Sequence, residues 1–182
     1  MKKLFSIVFL AILLAACNNT DNNDTENIAE YAAATVLKVD EAVPSFKLAT
    51  LDSAIINIDS LKGKTVFLNF FTLSCPMCML ELPQLEKQIW NKYKDRDDFV
   101  ILSIGREHTN AELEKFYTKK QFTFPMAGDT DRSVYALFAE KFVPRNIIID
   151  KTGKVVYTAI GYNEKDGLTE LLEAIKNALS KK

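Results

Sequence analysis

Cys75 and Cys78 are the residues of this chain with the plainest chemical capacity: two thiols separated by two residues, in 71-FTLSCPMCMLELP-83. Such a pair can clip a metal, act as a structural staple, or cycle between dithiol and disulfide. A staple explains this spacing poorly, because it closes almost no loop and removes little chain entropy. Structural zinc takes four ligands, and beyond this pair the chain offers Cys17 and a single histidine, His108. A copper-carrying role would need His108 beside the pair, whereas "GREHTN" reads as a loop or helix cap after a strand. Redox cycling needs one thiol that is exposed and ionised, which depends on the elements around it.

Those elements are readable. 60-SLKGKTVFLNFF-71 gives a turn at Gly63 and then a β-branched and aromatic run from Thr65 to Phe71, broken by Asn69. This is the pattern of a central strand covered on both faces. From Pro76 to Tyr93 the period becomes helical, with Leu82, Leu85, Ile89 and Tyr93 on one face. Pro76 is tolerated in the first turn, and Pro83 is predicted to kink the helix. A strand running into Cys-x-x-Cys and then a helix places Cys75 at the helix N-terminus, where free N–H groups and the dipole stabilise a thiolate. Cys78, one turn in, is more buried. Cys75 is therefore the candidate nucleophile and Cys78 the candidate resolving thiol.

Around this centre, "PSFKLA" (44–49) and "AIINI" (54–58) read as a hairpin, and Phe99 to Ile104 as a second buried strand. Asn110 to Lys120 and Asp131 to Lys141 are predicted helices. Arg145 to Asp150 and Lys154 to Ile160 form a hairpin, and Asn163 to Leu179 a closing amphipathic helix. The order predicts an α/β sheet with a parallel centre, an antiparallel edge and flanking helices.

The N-terminus speaks to compartment. Lys2 and Lys3 precede an uncharged apolar run, Leu4 to Ala16, too short for a stable span, which fits a secretory signal. The run ends in Leu-Ala-Ala-Cys17 and resembles the bacterial lipobox, in which the cysteine is lipidated. The expected organisation is a lipoprotein signal peptide over 1–16, a lipidated Cys17 with a flexible polar tether to 40, and one domain over 41–182. Lysines and arginines number 23 against 24 acidic residues, with no basic cluster, which argues against nucleic-acid binding.

With the residues in place, the chain resembles the thioredoxin fold and, more closely, the TlpA/ResA-like membrane-tethered thiol–disulfide oxidoreductases. "VPSFKL", "SLKGKTVFLNFF", "CPMC", Pro83 and "FVPRNIIIDKTGKVVY" carry the resemblance, with residues 105–143 as that family's insertion. The resemblance implies a thioredoxin-like fold with an N-terminal hairpin and central insertion. It implies a cis bond before Pro144 and a Val143 backbone presented to an extended substrate. It also implies a role for Glu81 near the disulfide, as a like charge that raises the cysteine pKa values and relays a proton. Ser74 stands where thioredoxins carry Trp, which puts substrate docking and potential in question, and Asn69 stands where they bury an acid. Trp90 is read as core packing. The implied partners are protein thiols and disulfides, a membrane electron donor and the membrane itself through the lipid. The implied cofactor is none beyond the Cys75–Cys78 disulfide, the state a monomer, and the place the cell envelope. The rival within the fold is a peroxiredoxin-like thiol peroxidase. Thr72 stands three residues before Cys75 and Arg145 could act as its arginine, but Leu68 occupies the position where that family has proline.

Overall fold

The computed structural model describes residues 21–166 and 168–181, with side chains from residue 26 onward; the expected signal peptide and Cys17 lie outside them. Two compact units are distinguished, meeting between Ala33 and Ala34. The first contains helix α1, Asp21–Ala33, whose residues 26–33 are all exposed. A flexible tether was the expectation here. The helix forms because Glu26, Ala29, Glu30, Ala32 and Ala33 are good helix formers, and acidic residues crowd its N-terminal half, where the dipole favours them.

The second unit begins at Ala34, earlier than the boundary expected at 41. Ala34 and Leu37 are buried. The N–H groups of Val36 and Leu37 donate to Phe138 O at 3.0 and 3.2 Å, and the Glu140 N–H donates to Ala34 O at 2.9 Å. Apolar packing and backbone pairing thus fix residues 34–37 as a strap along 138–140.

The hairpin is short, β1 (Lys47–Ala49) against β2 (Ile55–Asn57). The main sheet has the order β5-β4-β3-β6-β7. Its parallel part is β3 (Thr65–Phe71), β4 (Phe99–Arg106) and β5 (Met126–Asp129); β6 (Arg145–Ile149) and β7 (Val155–Ile160) run antiparallel. This is the expected mixed sheet with one strand more: β5 is missed because Pro125 precedes it and Gly128 interrupts it. Every residue of β3 is buried, as its unbroken apolar run requires. Its side chains alternate between two cores. Phe67 and Phe71 join Leu82, Leu85, Ile89 and Ile175 on one face, while Val66, Leu68 and Phe70 join Leu102, Tyr135 and Phe138 on the other.

The helix after β3 is α2 (Pro76–Gln84), which runs through a π-helical turn, Leu85–Trp90, into α3 (Asn91–Tyr93). The wider turn follows directly on Pro83, whose missing N–H breaks the regular bonding pattern. α4, Asn110–Lys120, has the predicted bounds and opens with a capping box between Thr109 and Glu112. The helix expected over 131–141 shrinks to α5, Tyr135–Phe138. The closing helix α6 is Thr169–Ser180, shorter at its start than expected, with Leu171 and Ile175 buried. Both sheet edges are partly covered: Thr50 bridges Ala127 on β5, while Asp40 N–H donates to Val155 O and Val155 N–H to Glu41 O on β7. Among the described residues, no helix is long and apolar enough to cross a membrane.

Candidate active site

β3 ends at Phe71, and four residues later Cys75 caps α2. Its backbone is extended (φ −91°, ψ 111°), and its Sγ accepts the Cys78 N–H at 3.2 Å. A sulfur that receives a helix-terminal N–H carries negative charge more readily. Cys75 and Cys78 are joined as a disulfide, with Cα atoms 5.3 Å apart. Their exposure differs: Cys75 is half-buried, whereas Cys78 has 0% exposure. Met77 and Leu80 are exposed on the same turn of α2.

The opposite wall is the loop before β6. The Val143–Pro144 peptide is cis, and Val143 O lies 3.6 Å from Cys75 Sγ. Val143, distant in sequence from the cysteines, is thus brought against the Cys75 sulfur.

Beneath the disulfide lies a buried polar row. β3 pairs Asn69 with Ser103 on β4 and with Asn146 on β6, so three neighbouring strands each contribute one polar side chain at the same level. Ser103 Oγ donates to Asn69 Oδ1 at 3.0 Å, and Asn69 Nδ2 donates to Asn146 Oδ1 at 2.9 Å. Glu81 completes the row from α2, one helical turn after Cys78. It is fully buried and accepts from Asn69 Nδ2 at 2.9 Å and Asn146 Nδ2 at 2.6 Å. Burial pushes its pKa from 4.5 up to about 7, with the two amide hydrogen bonds opposing the rise. Glu81 is therefore no solvated surface carboxylate. Asn146 was not singled out in the sequence, nor was Ser103. The available signal was one polar residue inside each of three apolar runs, "FLNFF", "ILSIG" and "RNIII".

His108 was expected in a loop or cap, and it lies just before the cap residue Thr109. The fold also brings it to the active-site turn, because β3 and β4 are parallel neighbours whose C-terminal ends adjoin. Leu73 N–H donates to His108 Nε2 at 3.0 Å, two residues ahead of Cys75. Gly128 makes this approach possible: a Cβ there would run into the backbone of His108 and Asn110. Trp90, expected in the core, is half-buried and donates through its indole N–H to Thr123 Oγ1 at 2.7 Å.

The two residues that suggested a peroxidase are placed otherwise. Thr72 Oγ1 pairs with Ser74 Oγ at 3.1 Å. Arg145 alternates with Asn146, so its guanidinium lies on the sheet face away from Glu81, bonded to Thr35 Oγ1 and Lys141 O. No cluster of three or more candidate metal ligands exists among the described residues.

A mixed sheet of this order with a disulfide capping the first helix after its central strand defines a thioredoxin-fold redox protein. Residues 38–175 match the Redoxin family, and the chain belongs to that family. Its activity is thiol–disulfide exchange, and it is ResA-like. The thiol-disulfide oxidoreductase ResA of Bacillus cereus is 29% identical over 178 residues, 96% of this chain and 99% of that protein. The solution structure of a protein from Bacteroides thetaiotaomicron superposes with a TM-score of 0.76 at 30% identity, covering 81% of this chain and 94% of that one. The pneumococcal exposed lipoprotein thioredoxin of Streptococcus pneumoniae superposes with a TM-score of 0.60 at 26% identity, over 74% of this chain and 99% of that one.

Proposed function

We propose that this protein is a lipid-anchored enzyme of the cell envelope that delivers two electrons from the Cys75–Cys78 dithiol to disulfides in other proteins. The observation that carries this is the unequal exposure of the pair, Cys75 half-buried at the helix end and Cys78 fully buried behind it. The Cys75 thiolate attacks one sulfur of a client disulfide. A bond forms between Cys75 and that sulfur, and the second client sulfur leaves as a thiolate that takes up a proton. Cys78 then loses its proton and attacks Cys75 Sγ. The internal disulfide forms and the first client sulfur leaves as a thiol. Glu81, held near neutrality by burial, is the nearby group suited to take the Cys78 proton. The Val143 backbone, next to the cis bond, offers an edge to an extended client segment.

Lipid attachment is supported by Leu-Ala-Ala-Cys17, and a similar fold occurs in the pneumococcal exposed lipoprotein thioredoxin. Outside the cytoplasm the oxidised pair needs a membrane dithiol to restore it. The test is Cys78→Ser: attack by Cys75 still forms a mixed disulfide, but nothing resolves it. Adducts with envelope proteins should accumulate on non-reducing gels and vanish with reductant, and Cys75→Ser should form far fewer. If Cys78→Ser traps nothing while the wild type consumes peroxide rapidly, the peroxidase reading replaces this one.

A further inference from the structure

The loop facing Cys75 is held by groups that the exchange reaction does not use. Its three successive carbonyls each meet a different partner. Lys141 O accepts from Arg145 Nη2 at 3.2 Å, Phe142 O accepts from the Tyr135 hydroxyl at 2.7 Å, and Val143 O faces Cys75 Sγ at 3.6 Å. Tyr135 and Arg145 both have 0% exposure. Arg145 Nη1 reaches further, to Thr35 Oγ1 at 3.1 Å. Thr35 lies in the strap, which backbone hydrogen bonds fasten to Phe138 and Glu140, immediately before the loop.

Stability alone is a poor reason for this arrangement. A buried guanidinium costs desolvation free energy, and here its Nε has no partner at all. An apolar side chain of similar volume commonly fills such a position at equal or lower cost. What an arginine and a tyrosine supply, and an apolar pair does not, is directed donors to two adjacent carbonyls.

We propose that Tyr135, Arg145 and Thr35 are positioning residues that set the Lys141–Val143 loop so that the Val143 carbonyl stands against the Cys75 sulfur. The proposal rests on Cys75 being the attacking thiol. The consequence is electrostatic. A carbonyl oxygen beside the sulfur accepts from the thiol S–H and repels the thiolate, so the held loop opposes ionisation. With a donor removed, the carbonyl is free to withdraw and Cys75 ionises at lower pH. The other titratable groups around it are Cys78 and Glu81 on α2, His108 beyond β4, and Lys141 in the loop; none is altered by the substitutions below.

The experiment is the pH profile of iodoacetamide alkylation of Cys75 in the reduced, full-length protein, with the labelled peptide identified by mass. Tyr135→Phe deletes only the hydroxyl, and Thr35→Val replaces the hydroxyl with a methyl group of similar size. Each should lower the alkylation midpoint by about half a pH unit, or roughly threefold faster labelling below it. Thr35→Ser keeps the hydroxyl and should keep the wild-type profile. If neither Tyr135→Phe nor Thr35→Val shifts the midpoint, or if Thr35→Ser shifts it as far as Thr35→Val, the proposal is overturned. Should Tyr135→Phe fail to fold, the two Thr35 variants decide alone. The readout uses no client protein, so its failure is distinguishable from failure to trap adducts.

Discussion

A carboxylate with no exposed surface, such as Glu81, exacts a free-energy cost whenever it is ionised. Its pKa rises from 4.5 to about 7 on folding, so between those values the folded state holds a proton that the unfolded chain has released. Stability must then fall as pH rises through this window, by on the order of 3 kcal/mol, and level off above it. Glu81→Gln should flatten that dependence in urea titrations at successive pH values. Its gain at high pH is partly offset, because an amide nitrogen would face one of the two asparagine donors now bonded to the carboxylate. The same variant removes a negative charge one turn from Cys78, so the reduced pair should titrate at lower pH. Parallel stability curves for the two proteins would show that Glu81 stays protonated or hydrated throughout. At this scale the sequence exposed the single residues well: Cys75, Cys78 and Asn69 stand out by type or place, and Glu81 through the family resemblance. Asn146 and Ser103 did not, because their meaning depends on strand register, which links positions 34 and 77 residues apart through hydrogen bonds to Asn69.

Between elements, Asn110 does an unusual amount of joining. Its Oδ1 accepts the Gly128 N–H of β5 at 2.7 Å, and its Nδ2 donates to Ala49 O and Thr50 O at 3.0 and 3.3 Å. One side chain at the start of α4 therefore ties the hairpin to the sheet edge. Asn110→Ala leaves these backbone groups without their partner and should destabilise the domain by roughly 2 kcal/mol in denaturant unfolding. A loss below a few tenths would mean that water replaces the amide at no cost. Elements with strong periodicity, β3, β4, α4 and β6, were legible from sequence. β5 was not: four residues with a glycine carry too little pattern, and its place comes from pairing with β4. The helix expected over 131–141 failed for a related reason. Asp129 accepts the N–H groups of Val134 and Tyr135, and Arg132 adopts φ 65°, so side-chain capping and a left-handed residue break the run before it can extend.

For the molecule as a whole, the strap makes residues 34–37 part of the folded unit rather than of the connection to Cys17. A chain starting at Ala34 should match the full protein in its urea midpoint. One starting at Glu41 forfeits the burial of Ala34 and Leu37, the three backbone bonds to 138–140 and the Arg145–Thr35 contact, and should unfold at clearly lower urea. Equal midpoints for all three would make the strap an ornament of the fold. Anchoring is tested separately: Cys17→Ala should leave the membrane fraction or accumulate unprocessed, and a mature-sized protein that stays with membranes would exclude lipid attachment.

The partly covered sheet edges acquire a meaning under the proposed lipid attachment. A protein tied to a surface by lipid meets its own copies in two dimensions, at local densities far above those in free solution. An open strand edge is a template for pairing with a neighbour. Here the N-terminal part of the domain covers a stretch of each border: Thr50 is bridged to β5, and Asp40, Glu41 and Ala42 lie along the start of β7. Were molecules held side by side by the proposed lipid anchor, these covered stretches would offer a neighbour no open strand to pair with.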